Sequence, residues 1–414
     1  MKAIIKDFFS LSPYYALVFV GCWLGGIFDG MDSNLFPVLV PNIMKDLLGT
    51  TDKIVVSQNA SVITAVYLLG WTAGGILIGL IGDKLGRVKS MVLSILLYSI
   101  FTGLVGLCQD IWQLGACRFL TGLGIGGELV SISTLLSEVW PERSRAFAVG
   151  ALITSYQAGV LLSGLVTQAI PDWRMAFFVG ALPALLALLL RMNLKEPEKW
   201  QQAKADDAEQ KLPLLRIFES QFRKNLIIGS LAFAGLLVGY WASLVWVPTW
   251  IQDLLGPDHV GTEKSTATIY HSILGIAGCL SSGILANYIG RRFTILTGAI
   301  GAFLSCLFMF KTLHSFSDMV YVGHSSLGFF TGMLQGVIYI YLPELFPTIL
   351  RATAVGFCLN AGRIAAAFAA LNVGTLVKLL GGYDDAAMAF AYAFLLSALI
   401  FFVAPETRGQ TLPE

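Results

Sequence analysis

The chain has 414 residues, of which 56% are hydrophobic and 13% are charged, and its formal net charge is +1. A soluble domain is about 45–50% apolar and about 25% charged, so this composition excludes an ordinary soluble protein. The balanced charge does not indicate nucleic-acid binding. The six cysteines are scattered through apolar segments without the spacing of a metal site.

The apolar residues form about twelve segments, each long enough for a helix to cross roughly 30 Å of hydrocarbon. We expect the spans at about 14–40, 58–81, 88–108, 112–138, 146–168, 173–192, 225–250, 267–289, 293–313, 319–342, 352–377 and 385–404. The first is expected to be an uncleaved anchor, because no small-residue cleavage site accompanies it. The sequence therefore predicts an all-α polytopic membrane protein.

A polar, charged stretch at 195–224 divides the spans into two sets of six. We predict an N-terminal six-helix half at 1–194, a cytoplasmic linker at 195–224 and a C-terminal six-helix half at 225–414. Lysine and arginine are concentrated in the loops on one side, which places both termini in the cytoplasm. The predicted location is the cell (inner or plasma) membrane.

The two halves repeat each other. "SEVWPERSRAFAVG" (137–150) aligns with "LPELFPTILRATAVG" (342–356), and "GDKLGRVKS" (82–90) aligns with "ANYIGRRFT" (286–294). In the first alignment, Glu138 and Arg145 fall on Glu344 and Arg351. Two homologous helical halves indicate a transporter whose site lies between them.

These segments resemble those of the major facilitator superfamily. "GDKLGRVKS" resembles its best-known signature, at Gly82, Asp83, Gly86 and Arg87. "RFLTGLGIGGE" (118–128) resembles its fourth-helix pattern, whose glycines permit close helix approach. "PETRGQTLPE" (405–414) resembles the tail of its sugar porters and organic-ion transporters. The resemblance covers essentially the whole chain and implies the major facilitator fold, with two pseudo-symmetric six-helix halves.

Two further segments resemble particular branches of the superfamily. "DGMD" (29–32) resembles the first-helix pattern of aromatic-acid/proton symporters, and sialic acid and nicotinate transporters are similar there. "NAGRIAAAFAAL" (360–371) resembles the eleventh-helix segment of the same groups, with Arg363 on the family arginine. The second-half signature departs from the pattern, since Asn287 stands where the first half has Asp83.

Several charges fall deep in the predicted spans, where a charge costs at least about 2.5–3.5 kcal/mol and usually faces a cavity or a partner. Asp29 and Asp32 share one helix face. Their repulsion and desolvation favour protonation of one of them. Arg118 matches the depth of Asp32 to within a turn, and Glu128 lies about 15 Å deeper. We predict that these four residues couple transport to protons. The alternatives are a static ion pair and a sodium or other cation site.

Arg363 lies near the middle of span eleven, and no acid of the second-half spans lies at comparable depth. A guanidinium without an internal partner favours an external anion, and its fork suits a carboxylate. A structural clamp on backbone carbonyls is the alternative. Gln157 falls on the position matching Arg363 when the halves are aligned. The remaining predicted substrate-binding residues are deep aromatic or polar side chains, namely Tyr67, Trp71, Tyr156, Tyr240, Trp241, Gln335 and Asn360.

For these aromatic residues, simple core packing is the alternative. His271 and His324 lie near outer span ends, where we expect solvated side chains, and a proton role is the alternative. The signature residues at the inner helix ends are predicted to form a cytoplasmic gate that pairs when the carrier faces outward and separates when it faces inward. These are Asp83, Arg87, Glu138, Arg145, Glu344 and Arg351. Ordinary solvated loop charges are the alternative.

The chain lacks a GxxxxGK[ST] motif, a metal-ligand cluster and a nucleophile–base arrangement. We therefore expect neither an enzyme nor an ATP-driven pump, no metal, and no cofactor besides the proton as coupling ion. The sequence predicts a secondary transporter that takes up a small organic anion with protons by alternating access. Aromatic, nicotinate-like or sialic-type carboxylates are the leading substrate class.

Three alternatives remain open. The chain could carry neutral sugars or organic cations, export drugs or metabolites, or serve as a transport-dead sensor or scaffold. Its expected partners are the substrate, protons and the lipid bilayer, and a monomer is the family expectation.

Overall fold

The computed structural model describes residues 13–140, 142–192, 194 and 217–408. Twelve helical spans run through this part of the chain: α1 (Pro13–Leu48), α2 (Lys53–Leu85), α3 (Arg87–Val105), α4 (Ile111–Val139), α5 (Glu142–Ala169), α6 (Trp173–Arg191), α7 (Ser220–Leu255), α8 (Glu263–Tyr288), α9 (Arg291–Thr312), α10 (Asp318–Glu344), α11 (Thr348–Leu380) and α12 (Tyr383–Ile400). The predicted all-α, twelve-span fold class is confirmed. Several spans run past their predicted ends, and α1 continues to Leu48.

The predicted linker at 195–224 lies mostly outside the described residues. Its last residues are helical, since α7 begins at Ser220. The boundaries predicted for the two halves remain a prediction.

The surface of the bundle is apolar. Within the described residues, nine helices are long and apolar enough to cross a bilayer. Large apolar side chains along them point away from the protein, and Leu80, Leu280 and Leu396 are each more than half exposed. An apolar surface of this extent is stable against hydrocarbon rather than water. The chain is a multi-pass membrane protein.

Helices α1–α6 and α7–α12 pack by the same scheme. In the first half, α2 packs on α4, α1 on α5, and α3 on both α4 and α6. The same contacts recur six helices later, with α8 on α10, α7 on α11, and α9 on both α10 and α12. The main contacts between the halves are α2–α11 and α5–α8. When each helix is exchanged with its counterpart six positions away, each of these contacts becomes the other. The halves are therefore related by a pseudo-twofold axis.

The two repeated loops make the same backbone turn. Gly86 precedes α3 with φ 118°, and Gly290 precedes α9 with φ 93°. Side-chain-bearing L residues rarely adopt these φ values, so the turn favours glycine in both halves. The sequence repeat thus corresponds to a repeated turn.

α7 is interrupted after its first 23 residues. Its first α-helical segment ends at Ala242, and a 3₁₀ turn follows at Leu244–Trp246. Pro248 explains the interruption, because it has no N–H for the carbonyl four residues earlier and its ring clashes with that carbonyl. Tyr240 and Trp241 therefore lie at the end of a helical segment.

Glycines bring α4 against the backbone of α2. A Cβ added to Gly122 would lie 2.3 Å from the carbonyl oxygen of Tyr67, and one added to Gly126 would lie 1.9 Å from that of Trp71. No side chain fits at these distances. The two helices are thus held in one register at Tyr67 and Trp71.

We expect Gly126→Ala to lower the thermal stability of the purified protein, because the added methyl group forces α2 and α4 apart. Overpacking of this kind costs about 1–3 kcal/mol. The midpoint of thermal unfolding in detergent measures the effect. Gly283→Ala on α8 is the matched control, since nothing lies within 4 Å of its added Cβ. Equal midpoints for the two variants would contradict the close approach.

Candidate functional site

A cavity of about 110 Å³ lies between the two halves. This is several times the roughly 30 Å³ that one water takes up in the liquid. Helices α1, α2, α4 and α5 line it from the first half, and α7, α10 and α11 from the second. Its polar and charged lining residues are Asp29, Ser155, Thr331, Gln335 and Arg363. The remaining lining is largely aliphatic and aromatic, which is typical of a site for a small organic molecule.

Arg363 is the only cation of this lining among the described residues. It is 4% exposed. Its Nη1 donates to Oδ1 of Asn360 at 3.0 Å, and its Cζ lies 5.2 Å from the ring centroid of Trp71. Within the described part of the chain, no carboxylate oxygen lies within 4.0 Å of its nitrogens. A neutral amide and a ring face hold the guanidinium, and no described carboxylate lies within ion-pair distance of it.

Aromatic side chains from both halves form the cavity wall. The ring centroids of Trp71 and Trp241 are 6.0 Å apart, and those of Tyr156 and Tyr240 are 6.3 Å apart. Each pair joins one half to the other. Nε1 of Trp71 is buried and has no hydrogen-bond partner among the described residues. The wall thus offers flat apolar surfaces and a free N–H donor next to Arg363.

Six of the nine predicted substrate-binding residues line the cavity, namely Trp71, Tyr156, Tyr240, Trp241, Gln335 and Arg363. The other three lie behind the lining and contact it. Tyr67 packs on Trp71, and Asn360 accepts a hydrogen bond from Arg363. Nε2 of Gln157 donates to Oε1 of Gln335 at 3.3 Å, across the boundary between the halves.

Several lining residues were missed in the sequence. Helical periodicity is the signal that identifies them, because each falls on the same helix face as a predicted residue. Phe233, Leu236 and Leu237 precede Tyr240 by seven, four and three residues. Thr331 and Tyr339 flank Gln335 at a spacing of four.

A buried ion pair lies beside the cavity. Nη1 of Arg118 on α4 lies 2.9 Å from Oδ2 of Asp32 on α1, and each residue is 1% exposed. The hydroxyl of Thr102 donates to the other carboxylate oxygen, Oδ1, at 2.7 Å. Cζ of Arg118 lies 4.1 Å from the ring centroid of Tyr67. Both charges are thus removed from solvent, and the carboxylate has an ionic and a neutral donor.

The other two predicted proton-coupling residues have different surroundings. Asp29 lines the cavity, although it lies only three residues before Asp32. Glu128 is fully buried on α4, about 15 Å along the helix from Arg118. The structure therefore places one acid of the DGMD segment in the cavity and the other in an ion pair.

The cavity is closed at the end of the bundle that carries the α1–α2 connection, residues 49–52; we call this the first-loop end. There Lys53 pairs with Asp253 at 2.8 Å and Lys45 with Asp258 at 3.0 Å. The backbone N–H of Gly374 donates to the hydroxyl of Ser61 at 2.8 Å. Each contact joins the first half to the second.

At the opposite end, the predicted gate residues of the second half are both engaged. Glu344 accepts from Nη2 and Nε of Arg291 at 2.9 and 3.1 Å, which ties α10 to α9. Nε of Arg351 donates to the carbonyl of Pro343 at 2.9 Å. The side chains of Asp83, Arg87, Glu138 and Arg145 lie outside the described part, so their predicted pairing stays a prediction.

The expectation for the two histidines is wrong. His271 on α8 and His324 on α10 are 1% and 2% exposed, and their rings stack with centroids 4.5 Å apart. Nδ1 of His271 lies 3.1 Å from the His324 carbonyl oxygen. The tight packing of α8 on α10 buries both rings, which the position near the span ends does not reveal.

The sequence matches known transporters over most of its length. The model of the Major Facilitator Superfamily matches residues 22–370. The cis,cis-muconate transport protein of Acinetobacter baylyi is 31% identical over 379 residues, covering 89% of each chain. The sialic acid transporter NanX of Escherichia coli is 26% identical over 96% of each chain. The niacin transporter NiaP of Acinetobacter baylyi is 25% identical over 96% of this chain and 95% of its own.

Solved structures agree with the fold. The crystal structure of a D-xylose-proton symporter superimposes with a TM-score of 0.77 over 96% of this chain and all of that chain, at 18% identity. A partially occluded inward-open conformation of the xylose transporter XylE from E. coli gives the same score at 17% identity, over 97% of this chain and 100% of the other. This chain belongs to the Major Facilitator Superfamily and is a membrane transporter, not an enzyme.

Proposed function

We propose that the chain is a symporter that takes up a small organic anion together with protons. The observation that carries the proposal is Arg363, a buried cation in the cavity wall with no carboxylate in ion-pair distance among the described residues. The leading substrates are aromatic, nicotinate-like or sialic-type carboxylates. Relatives named for transport of muconate, sialic acid and niacin support an organic acid.

The charge at Arg363 favours an anion over the alternative substrates. A buried guanidinium without a counter-charge is costly, and an incoming carboxylate provides two parallel acceptors for its fork. The free Nε1–H of Trp71 adds a donor next to it. An organic cation would be repelled by Arg363, and a neutral sugar would leave its charge uncompensated. The aromatic wall suits the flat or apolar body of an organic acid.

The ion pair of Asp32 and Arg118 is the proposed proton site. A proton on Asp32 removes the negative charge that neutralises Arg118, so the ion pair weakens and the region beside the cavity gains positive charge. That gain favours entry of an anion. Asp29 in the cavity and Glu128 on the helix of Arg118 are the proposed additional stations for the proton. The proton is the coupling ion, and the proposed cycle uses no cofactor.

Alternating access follows from the two halves rocking about the cavity. We assign the first-loop end to the outside, as the distribution of lysine and arginine predicts, and both termini to the cytoplasm of a cell that carries the protein in its plasma membrane. The contacts Lys53–Asp253 and Lys45–Asp258 then form the outer gate, which is closed here. The protein works as a monomer in this scheme.

Arg363→Gln is expected to reduce uptake of the acid substrate at least about tenfold, because the variant loses charge-assisted hydrogen bonds to the carboxylate. Proteoliposomes under an inward proton gradient receive radiolabelled benzoate, nicotinate, cis,cis-muconate, sialic acid or glucose. Arg223→Gln, at an exposed position of α7, is the matched control and should transport like the wild type. Uptake of glucose alone would favour a neutral-sugar carrier, and equal acid uptake by both variants would contradict substrate binding by Arg363.

Asp32→Asn is expected to abolish accumulation driven by the proton gradient and to preserve exchange of labelled for unlabelled substrate at equal pH. The exchange reaction needs only a carrier that moves loaded in both directions. The single variant leaves Arg118 without its carboxylate, which costs about 3–5 kcal/mol. The double variant Asp32→Asn/Arg118→Gln removes both charges. It should also lose substrate accumulation driven by the proton gradient.

Gradient-driven accumulation that survives in both of these variants would contradict the proton site. A sodium gradient imposed in parallel tests the other coupling ion. Net efflux of substrate under the inward proton gradient would favour an exporter.

A further inference from the structure

We propose that Tyr67 and Trp71 are positioning residues that carry the protonation state of Asp32 to the guanidinium of Arg363. This inference rests on the proposed function, since it names the side chains that couple the proton to the anion. The two residues follow each other by one turn on α2, between the ion pair and the cavity. Tyr67 does not line the cavity, so it can be tested apart from substrate contact.

The first link joins Tyr67 to both sides of the ion pair. Cζ of Arg118 lies 4.1 Å from the Tyr67 ring centroid, a distance at which a cation is attracted to a ring face. The Tyr67 hydroxyl lies 2.6 Å from the hydroxyl of Ser33, the residue that follows Asp32 in the chain. The ring is 1% exposed.

The second link joins Tyr67 to Trp71. Their ring centroids are 5.8 Å apart in an edge-to-face arrangement, and both rings pack on Trp241 of the second half, at 5.8 and 6.0 Å. The α2 backbone at both residues is pinned by the α4 glycines, Gly122 and Gly126. A displacement of the Tyr67 ring therefore passes to the neighbouring rings, because α2 cannot slide on α4.

The third link joins Trp71 to the cavity cation and crosses between the halves. The guanidinium of Arg363 on α11 lies over the Trp71 ring at 5.2 Å. The guanidinium of Arg118 thus lies on the Tyr67 ring and that of Arg363 on the Trp71 ring. Arg118 has a carboxylate that a proton can neutralise, and Arg363 is the proposed binding site of the anion. This is a continuous series of contacts between the proton site and the proposed substrate site.

The sign of the coupling follows from this geometry. When Asp32 is neutral, Arg118 loses the partner that fixes it and repacks on Tyr67, and the change reaches the Trp71 face that holds Arg363. Release of Arg363 from that face makes its donors available to a carboxylate. Protonation therefore raises the affinity for the anion, and by linkage the bound anion raises the affinity for the proton by the same factor.

Other titratable groups that the structure describes also lie near Asp32. Besides Arg118 and Tyr67, the nearby titratable side chains are Asp29 on the same helix and Tyr156 on α5, which lies 3.5 Å from Asn34 and contacts Tyr240 of α7. Helix α3 contributes the neutral hydroxyl of Thr102. Helix α6 presents Gly180 to Leu35 and Met31 at this level, without a charged contact among its described residues.

The test measures how strongly neutralising Asp32 changes anion affinity in three Tyr67 backgrounds. Kd values for radiolabelled nicotinate and cis,cis-muconate are determined on the purified protein, with and without Asp32→Asn. We expect Asp32→Asn to raise the affinity at least about fivefold in the wild type and in Tyr67→Phe, which keeps the ring. In Tyr67→Leu the same substitution should change the affinity less than about twofold, because the ring contact is gone.

Substrate exchange in proteoliposomes confirms that each background is folded. If Tyr67→Leu does not exchange, Tyr67→Met replaces it, since its longer side chain fills more of the space without presenting a ring face. If Tyr67 had a merely structural role, its substitution would change the Kd values with and without Asp32→Asn by the same factor. The ratio of the two Kd values would then stay the same. A ratio in the leucine or methionine background equal to that of the wild type would overturn the relay and leave the proposed function standing. A wild type that binds none of nicotinate, cis,cis-muconate, benzoate and sialic acid, or whose affinity is indifferent to Asp32→Asn, would overturn the proposed function and the relay with it.

Discussion

A guanidinium buried in a membrane protein needs a counter-charge, and the structure depends on how two arginines meet this requirement. Arg118 has Asp32 at 2.9 Å, with Thr102 on the second carboxylate oxygen. Arg363 is held by an amide and a ring face without a carboxylate in ion-pair distance among the described residues. The charge of the first arginine is therefore balanced within the chain, and under the proposed function an entering anion balances the charge of the second.

Close helix packing surrounds the residues that lie between these two sites. The glycines of α4 bring it so close to α2 that the backbones touch at Tyr67 and Trp71. A side chain at Gly122 or Gly126 would separate the helices and draw the rings away from the ion pair. In the second half, α8 and α10 pack equally closely, with Gly328 against the His271 carbonyl oxygen. There the rings that meet are the stacked histidines, and no ion pair joins them among the described residues.

The sequence predicted the features that follow from residue type and spacing. Twelve spans, the repeat of 82–90 at 286–294, and the deep positions of Asp32 and Arg363 are all readable from hydropathy, motif and helical rise. It did not predict features that depend on how helices rotate against each other. Asp29 and Asp32 share a helix face by spacing, yet one lines the cavity and the other pairs with α4. The burial of His271 likewise depends on tertiary packing.

The pseudo-symmetry of the two halves makes their chemical difference informative. The same packing scheme recurs six helices later, so a purely structural arginine would be expected to have equivalent partners in both halves. Arg363 has no arginine counterpart in the first half, and it lies at the cavity with Asn360 and Trp71. The glutamine that aligns with it, Gln157, is neutral and reaches across to Gln335. A charge that the fold does not repeat is therefore better explained by the proposed anionic substrate than by helix packing.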